Sequence, residues 1–324
     1  TLYAQWSTIT YDITYNLDGG TNGANPASYN VETPTITLEN ATKTGYTFAG
    51  WWDAPTAGTQ VTQIVVGSTG NQTLYARWTA NTDTAYKVEH YQQDVSGPGY
   101  TLKDTDNLSG TTATTATASA KVYPGFTENI GHESTVASGT IAPDGTLVLK
   151  LYYDRSTYTV SFNSNSGSAV SDITGVRYGA TIPAPDNPTK TGYTFAGWYK
   201  EEGLTNTWTF GSDTVTAFTT LYAKWTANTH TVTFDANGGE APSQASKSVT
   251  YAGTYGTLAT VSRTGYTFNG WYTASSGGTK ITDATTVDIT ANQTLYAQWE
   301  INQYTITFDS AGGSAADPIT QDYG

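Results

Sequence analysis

The sequence contains neither cysteine nor methionine in its 324 residues. Without cysteine the chain can form no disulfide bond, no thiolate metal site and no cysteine nucleophile. A chain that lacks both sulfur-containing side chains also offers oxidants few targets, which suits a protein exposed outside the cell.

Basic residues and long apolar runs are also scarce. The chain has 14 Lys and Arg against 27 Asp and Glu, for a formal net charge of −13. Because nucleic-acid-binding proteins carry clustered positive charge, this balance argues against nucleic acid as a partner. No segment has the apolar length of a membrane span, and no signal peptide or sorting tail is visible. The chain opens in mid-repeat, so we expect it to be a window on a longer, secreted or surface-attached protein.

Strong helix formers are few, whereas residues that favour strands are abundant. Aromatic residues make up 13% of the chain, with 24 Tyr and 9 Trp. Tyr, Trp, Thr and Val favour β-strands, and each aromatic ring buries a large apolar area. The composition predicts a mainly β chain whose small hydrophobic cores are built from aromatic side chains.

Two aromatic phrases recur along the chain and indicate a repeat protein. The phrase Gly-Tyr-Thr-Phe-x-Gly-Trp begins at three places: Gly45, Gly192 and Gly265. The phrase Leu-Tyr-Ala-x-Trp begins at four: Leu2, Leu74, Leu221 and Leu295. Leu221 and Leu295 are 74 residues apart, whereas Leu74 and Leu221 are 147 apart, which is close to two periods. One slot of the array therefore lacks both phrases.

These spacings predict six segments. They are the end of a preceding repeat at 1–7, repeats at 8–79, 156–226 and 227–299, a different module at 80–155, and the start of a further repeat at 300–324. We call the three complete copies repeat 1, repeat 2 and repeat 3, and the odd slot the central module. Each module is small and the linkers are only a few residues long, so neighbours should gain from mutual contact. We therefore expect a stiff, elongated array.

Each repeat is predicted to begin with a strand of alternating apolar and polar residues, followed by a tight turn. In repeat 2 the apolar face of this strand consists of Tyr158, Val160 and Phe162. In the first phrase, aromatics at 193, 195 and 198 cannot share one face by strict alternation. The break in alternation at Gly197 predicts a β-bulge.

A helix has room only in the variable stretch before each closing strand. The candidates are residues 207–212 and 280–286, each at most two turns long. The central module is predicted to begin and end in strands, at 85–92 and 147–154, with a further short strand at 100–102. Its segment 113–120 fits a helix by its alanines or extended chain by its threonines. We expect a second module type with a related architecture.

The phrases resemble those of a known family. Gly-Tyr-Thr-Phe-x-Gly-Trp-Tyr followed by Leu-Tyr-Ala-x-Trp, with a Phe-Asp-x-x-Gly-Gly opening, resembles the Listeria–Bacteroides repeat, also called the internalin B-repeat. The central module looks like the mucin-binding-protein repeat group. That likeness rests on Val88-Glu-His-Tyr91, Tyr123-Pro-Gly-Phe126 and Leu149-Lys-Leu-Tyr-Tyr153.

The resemblance implies a β-grasp (ubiquitin-like) fold for each repeat, in which a mostly antiparallel sheet wraps one short helix. It also implies an extracellular protein of the bacterial surface that carries such units in tandem. Relatives of this kind serve as stalks, adhesion modules and partner-binding spacers. The resemblance implies no ligand site that can be assigned to particular residues of this chain.

The many tryptophans leave two interpretations. Seven of the nine occupy repeat-fixed positions, which favours the core over a carbohydrate platform: Trp6, Trp51, Trp78, Trp198, Trp225, Trp271 and Trp299. The other two, Trp52 and Trp208, make no site by themselves. We therefore interpret the tryptophans as core residues.

No residue set points to catalysis, a cofactor or a metal. His90, His132 and His230 lie far apart in the sequence, and we interpret them as ordinary structural residues. Asp104-Thr-Asp106 and Asp144-Gly145 could bind Ca²⁺ but lack the spacing of an EF-hand loop. A stiffening Lys–Asn crosslink is conceivable at Lys87 or Lys150, without a partner that the sequence identifies. We predict no catalytic, cofactor or metal site, and the ligand-binding residues stay open.

The sequence thus favours a non-catalytic stalk or adhesin spacer that packs against its neighbours or against copies of itself in a fibre. The alternative is an adhesion module that binds a glycan or a host protein through residues 80–155. An enzyme has no support in the sequence.

Overall fold

The computed structural model describes all 324 residues and consists of strands and turns, without a helix. The chain divides into two compact units, Thr1–Ser156 and Thr157–Gly324. Repeat 1 and the central module lie in the first unit. Repeats 2 and 3 and the C-terminal segment lie in the second.

Repeat 1 is built on one mixed sheet. Its strands are β1 (Thr10–Asn16), β2 (Ser28–Asn30), β3 (Ile36–Thr37), β4 (Tyr46–Trp52), β5 (Gln60–Val61), β6 (Gln63–Ile64) and β7 (Gln72–Ala80). The sheet order is β2-β1-β7-β4-β5, and β3 pairs separately with β6. β1 runs parallel to β7 and antiparallel to β2. The opening and closing strands of the repeat therefore lie side by side in the middle of the sheet.

The central module has the same order of main strands with different lengths. Its strands are β8 (Thr84–Gln93), β9 (Tyr100–Gly110), β10 (Thr115–Thr117), β11 (Phe126–Glu128), β12 (Ser138–Thr140) and β13 (Val148–Arg155). The main sheet has the order β11-β13-β8-β9, with β13 parallel to β8, and β10 pairs with β12. The strands expected at its two ends are present. The segment that fitted either helix or extended chain is extended at β10.

Repeats 2 and 3 reproduce the four main strands of the repeat 1 sheet, and repeat 3 also has a counterpart of β5. Their strands are β14 (Thr157–Asn163), β15 (Ile173–Arg177), β16 (Tyr193–Tyr199), β17 (Thr219–Ala227), β18 (Thr229–Asp235), β19 (Ser246–Thr250), β20 (Tyr266–Tyr272), β21 (Lys280–Ile281) and β22 (Gln293–Ile301). The orders are β15-β14-β17-β16 and β19-β18-β22-β20-β21. A last hairpin joins β23 (Gln303–Ile306) to β24 (Ile319–Asp322).

The expectation of a short helix in each repeat is wrong. Thr207 pairs with Tyr199 in an isolated β-bridge, residues 210–212 form a turn, and 280–286 begin with the short strand β21. In the first segment Gly211 adopts a left-handed φ of +76°, and the Asp213 carboxylate accepts the Thr209 N–H at 2.7 Å. A helix of two turns makes too few i→i−4 hydrogen bonds to offset the cost of nucleation. Local turn bonds therefore prevail over the helix.

The predicted bulge in the first phrase is present in every repeat. In repeat 2 the pairing of β16 with β17 shifts between Phe195 and Gly197, whose φ is +118°. The shift turns Trp198 onto the same face as Phe195, and the two rings meet edge to face at 5.5 Å. Trp198 is thereby buried to 2% exposure at the centre of the core. The glycine is needed because the bulge places it in the left-handed region.

The Trp of the second phrase closes the turn after the first strand. Trp299 covers Gly239, where a Cβ atom would lie 2.5 Å from the indole Cζ2. The indole Nε1 donates to the backbone oxygen of Ala236 at 3.0 Å. Trp78 and Trp225 make the same pair of contacts in repeats 1 and 2. One tryptophan thus joins the closing strand to the first turn in each repeat.

We expect Gly239→Ala to destabilise repeat 3, because the new methyl group meets the Trp299 ring and the oxygen of Ser262 at 2.8 Å. The expected loss is about 1–3 kcal/mol in the free energy of unfolding. Urea unfolding followed by tryptophan fluorescence measures it. Gly131→Ala is the control, since the nearest atom to its Cβ lies at 3.8 Å. Equal midpoints for the two variants would contradict the close approach.

Candidate functional site: the contacts between successive modules

The glycine that opens each first phrase stands where one module meets the next segment of chain. Gly45, Gly192 and Gly265 have φ values of +76°, +76° and +79°. Each lies in the tight turn just before the strand that carries the aromatic phrase. Its carbonyl oxygen therefore faces the linker that leaves the same module.

An asparagine in the linker binds this turn in the same way at three places. Asn228 donates its backbone N–H to the oxygen of Gly192 at 2.9 Å, and its Oδ1 accepts the Thr194 hydroxyl at 2.6 Å. Asn81 and Asn302 form the equivalent bonds with Gly45 and Thr47, and with Gly265 and Thr267. The linker is thus held by its main chain and its side chain together.

The same asparagine then accepts a hydrogen bond from the module that follows. The oxygen of Asn228 accepts the N–H of Tyr251 at 2.9 Å, and the oxygen of Asn302 accepts that of Tyr323 at the same distance. At the first contact the donor is Thr112, whose hydroxyl also donates to the oxygen of Gly45 at 2.8 Å. One residue therefore connects two modules at each contact.

A ring lies over the glycine. Tyr251 packs on Gly192 and Tyr323 on Gly265 so closely that a Cβ atom would overlap the ring. Tyr251 also meets Tyr193 edge to face at 5.5 Å. At the first contact Pro143 takes this place, with its atoms 2.8 Å from a Cβ at Gly45. Only glycine leaves room for this approach.

The central module ends on a related contact. Gly125, in the Tyr-Pro-Gly-Phe phrase, has a φ of +76°. Its oxygen accepts the N–H of Ser156, the first linker residue, at 2.9 Å. The bond to the linker backbone is kept, although serine replaces asparagine.

These contacts consist of hydrogen bonds between neutral groups and of rings packed on glycine. At the Asn228 contact two hydrogen bonds hold the asparagine to the preceding module and one joins it to the following module, and each contributes about 1 kcal/mol. No ionisable group takes part in the hydrogen bonds, so the coupling should be insensitive to pH and salt. The arrangement is suited to holding one module at a fixed position on the next.

Sequence reasoning missed these linker residues, although a signal was present. An asparagine follows the Trp of the second phrase by three residues in every repeat, at Asn81, Asn228 and Asn302. Because the asparagine recurs although the two residues before it differ between repeats, the sequence alone could have identified it as a contact residue. The tyrosine partner was harder to find, because it lies elsewhere in the next module.

The central module contains a buried polar network that the sequence did not predict. His90 is fully buried on β8, with Nδ1 2.9 Å from the Tyr153 hydroxyl and Nε2 3.2 Å from Asp106 Oδ2. Lys121 Nζ lies 2.6 Å from Asp106 Oδ1 and 3.4 Å from Asp104 Oδ2. The two aspartates flagged as a possible calcium pair are therefore ion-pair partners of a lysine.

Hydrogen bonds set the charge states of this network. The bond from Lys121 lowers the pKa of Asp106, and the bond from the Tyr123 hydroxyl lowers that of Asp104. The bond to Asp106 raises the pKa of Lys121. The geometry and these directions favour a charged pair over a neutral amine and acid. An amide crosslink would need the neutral forms.

The opposite face of the same sheet carries a stack of rings. Tyr152 lies between Tyr91, with ring centroids 5.0 Å apart, and His132, 3.9 Å away, both nearly parallel to it. The hydroxyl of Tyr91 donates to Glu89 at 2.6 Å, and this bond raises the pKa of Tyr91 to about 12. Lys150 lies 4.0 Å from the Glu89 carboxylate. The structure thus brings together residues that looked unrelated in the sequence.

The remaining residues that the sequence singled out are partly in the cores and partly at the surface or in turns. Trp51, Trp198 and Trp271 lie in the cores at 2% exposure each, and Trp208 is buried at 7%. Trp6 is exposed and Trp52 stacks under the Arg77 guanidinium at 3.9 Å. His230 lies on β18, in a different module from the other two histidines. Asp144 forms a turn by accepting from Thr146, and Lys87 lies on β8.

Three segments of the chain match the Listeria-Bacteroides repeat domain, at residues 11–77, 158–224 and 230–298. Together they cover more than half of the sequence. The chain belongs to this repeat family. The matched segments coincide with the three sheets whose four main strands share one order.

Several bacterial proteins are similar to this chain. A putative Gly-rich membrane protein of Evansella cellulosilytica is 31% identical over 333 residues, covering 100% of this chain and 37% of that protein. A putative membrane protein of the same organism is 39% identical over 183 residues, 56% of the chain and 27% of its own length. Internalin H of Listeria monocytogenes is 39% identical over 142 residues, 42% of the chain and 25% of its own.

The chain thus spans well under half the length of each of these relatives. Two of them are named as membrane proteins and the third as an internalin. No helix in the chain is long and apolar enough to cross a membrane.

We expect Gly192→Ala to uncouple repeats 2 and 3. The methyl group would meet the Tyr251 ring in a left-handed backbone position, which adds about 1–2 kcal/mol of strain. Cleavage of the linker at 226–229 by a broad-specificity protease, mapped by mass spectrometry, should become faster. Gly211→Ala is the control, because its φ is also +76° but no atom lies within 4 Å of its Cβ. Equal cleavage rates for both variants would show that strain alone is responsible.

The charged network makes a prediction about pH. Asp104 and Asp106 have lowered pKa values, so their contribution is present above pH ~4 and is lost as pH falls through the folded values. Lys121 has a raised pKa, so its contribution is present below pH ~10.5 and is lost as pH rises further. The urea concentration at the midpoint of unfolding of the central module should therefore be highest between these two pH limits. Asp106→Asn should reduce the fall of this midpoint at acidic pH, whereas Asp83→Asn should leave that fall unchanged.

Proposed function

We propose that this region is a non-catalytic extracellular spacer of a bacterial surface protein, acting as a stalk or as part of an adhesin. The observation that carries the proposal is the recurrent contact in which a linker asparagine and a ring bind the glycine of the preceding module. A spacer must transmit position from one module to the next, and such contacts restrict how each module can turn. Family membership and the names of the relatives support a surface location.

We propose the same boundaries for the modules as the sequence indicated: 1–7, 8–79, 80–155, 156–226, 227–299 and 300–324. Each complete module is assigned to the β-grasp fold, without its usual helix. The shared order of main strands, in which the opening and closing strands run parallel at the centre, supports this assignment. Neighbouring modules are the partners of each unit, and copies of the chain packed side by side in a fibre are a further proposed partner.

A second candidate function is adhesion through the central module. The ring stack of Tyr91, Tyr152 and His132 favours it, because this module alone carries such a stack on the sheet face away from its core. The partner would be a host or cell-surface glycan or protein. A glycan array probed with the wild-type chain and with Tyr91→Ala would test it, and the same glycan signal from both would count against this site.

The spacer proposal predicts an extended particle in solution. A compact chain of this length would have a radius of gyration of about 20 Å. Small-angle X-ray scattering of the chain should give a value well above that figure, with a long tail in the pair-distance distribution. A value close to 20 Å would contradict the stalk role, whatever the individual modules look like.

A further inference from the structure

Repeat 1 has an open groove that involves a turn, a loop and the closing strand. Its volume is about 620 Å³, within the range of ligand-binding sites. The residues that matter for its chemistry are Asp18, Lys43, Tyr46, Tyr75, Arg77 and Trp78. A second hollow of about 450 Å³ adjoins it, and Lys43 and Tyr46 line both.

One residue difference explains why the groove is open here. In repeats 2 and 3 the left-handed residue of the turn is asparagine, and its amide donates to the closing strand. Asn165 bonds the oxygen of Ala223 at 2.7 Å, and Asn237 bonds that of Ala297 at 2.9 Å. Repeat 1 has Asp18 at this position, and an ionised carboxylate carries no N–H to donate.

The Asp18 carboxylate forms an ion pair with a lysine instead. Lys43 Nζ lies 3.2 Å from the Asp18 carboxylate and 2.6 Å from its backbone oxygen. The oxygen of Ala76, equivalent to the two carbonyls that accept from asparagine, is left beside the groove that its residue lines. Asp18 therefore does not bridge the turn to the closing strand as Asn165 and Asn237 do.

The groove also holds a positive charge without a matching acid. Arg77 uses Nη2 for both of its hydrogen bonds, to the backbone oxygens of Ala54 and Ala57. Its Nε is buried without a partner, and no carboxylate lies within ion-pair distance. The equivalent residues are Lys224 and Gln298. Only repeat 1 has a guanidinium at this position, and its Nη1 N–H groups remain to donate to a carboxylate, because Nη2 bonds the protein and Nε is buried.

Aromatic side chains supply the apolar side of the groove. Tyr46, Tyr75 and Trp78 line it and are partly exposed. Neither Tyr46 nor Tyr75 uses its hydroxyl in a hydrogen bond within the protein, so both hydroxyls can donate to a ligand or accept from it. The Lys43 ammonium lies over the Tyr46 ring at 4.6 Å, which holds that ring in place.

We propose that the repeat 1 groove binds an acidic saccharide that carries a carboxylate on a sugar ring. A sugar ring has an apolar C–H face that fits an aromatic wall, and hydroxyls that fit the tyrosine hydroxyls and the Ala76 oxygen. Its carboxylate pairs with Arg77. The two adjoining hollows suit a short oligosaccharide rather than a single ring. The site is independent of the spacer role, which depends on the contacts between modules.

The test is isothermal titration of the full chain with a short oligogalacturonate, and with a neutral galacto-oligosaccharide of the same length. We expect saturable binding of the acidic probe only. Arg77→Gln should weaken it by about tenfold or more, because one charged hydrogen-bonding partner is lost. Tyr75→Ala should also weaken it, by removing part of the aromatic wall.

Repeat 2 provides matched controls. Lys224→Gln and Tyr222→Ala make the corresponding changes beside a turn that Asn165 fills, and they should leave binding unchanged. Thermal unfolding of each variant shows whether the fold is retained, and Arg77→Gln remains informative if Tyr75→Ala does not fold. The proposal is overturned by absence of saturable binding, by equal affinity for the neutral probe, or by an equal loss in the Lys224→Gln variant.

Discussion

The absence of a side chain at a few glycines is the constraint on which the rest of the structure depends. At Gly192 and Gly265 it lets a tyrosine ring of the following segment lie directly on the backbone. At Gly239 it lets Trp299 close the first turn of its own repeat. In both cases a flat ring meets bare backbone, so burial and hydrogen bonding to the exposed carbonyls are satisfied together. Order within a module and order between modules thus follow from the same kind of contact.

Small modules depend on such contacts between rings and glycine backbone because they have little apolar volume to bury. Each repeat gathers its core around one nearly fully buried tryptophan, which other rings meet edge to face. The β-bulge beside it makes this geometry available, since strict alternation would direct the indole to solvent. A contact with a neighbour then adds apolar burial and hydrogen bonds that a single module does not have. The stability of a module therefore depends in part on its contact with the next module in the chain.

The modules differ where the shared sheet leaves side chains free to change. The central module keeps the strand order of the repeats but places a His–Asp–Lys network on one face and a stack of rings on the other. Repeat 1 differs from repeats 2 and 3 by having Asp18 in place of asparagine, which changes the side-chain hydrogen bonds of the turn and leaves its backbone conformation and the sheet unchanged. The array therefore keeps a common frame while individual modules acquire different chemistry.

The sequence by itself determined the repeats, their period, the mainly β class, the alternating strands and the bulge at Gly197, because all of these are local or periodic properties. It did not determine the fate of residues 207–212, where turn bonds to Asp213 prevailed over a helix. It also could not show that His90 would meet Asp106 and Tyr153, or that Asn228 would join Gly192 to Tyr251. Those groups are brought together only by the pairing of strands distant in sequence. Tertiary structure decided the contacts between modules and the open groove of repeat 1, since both depend on which carbonyl oxygen a given side chain can reach.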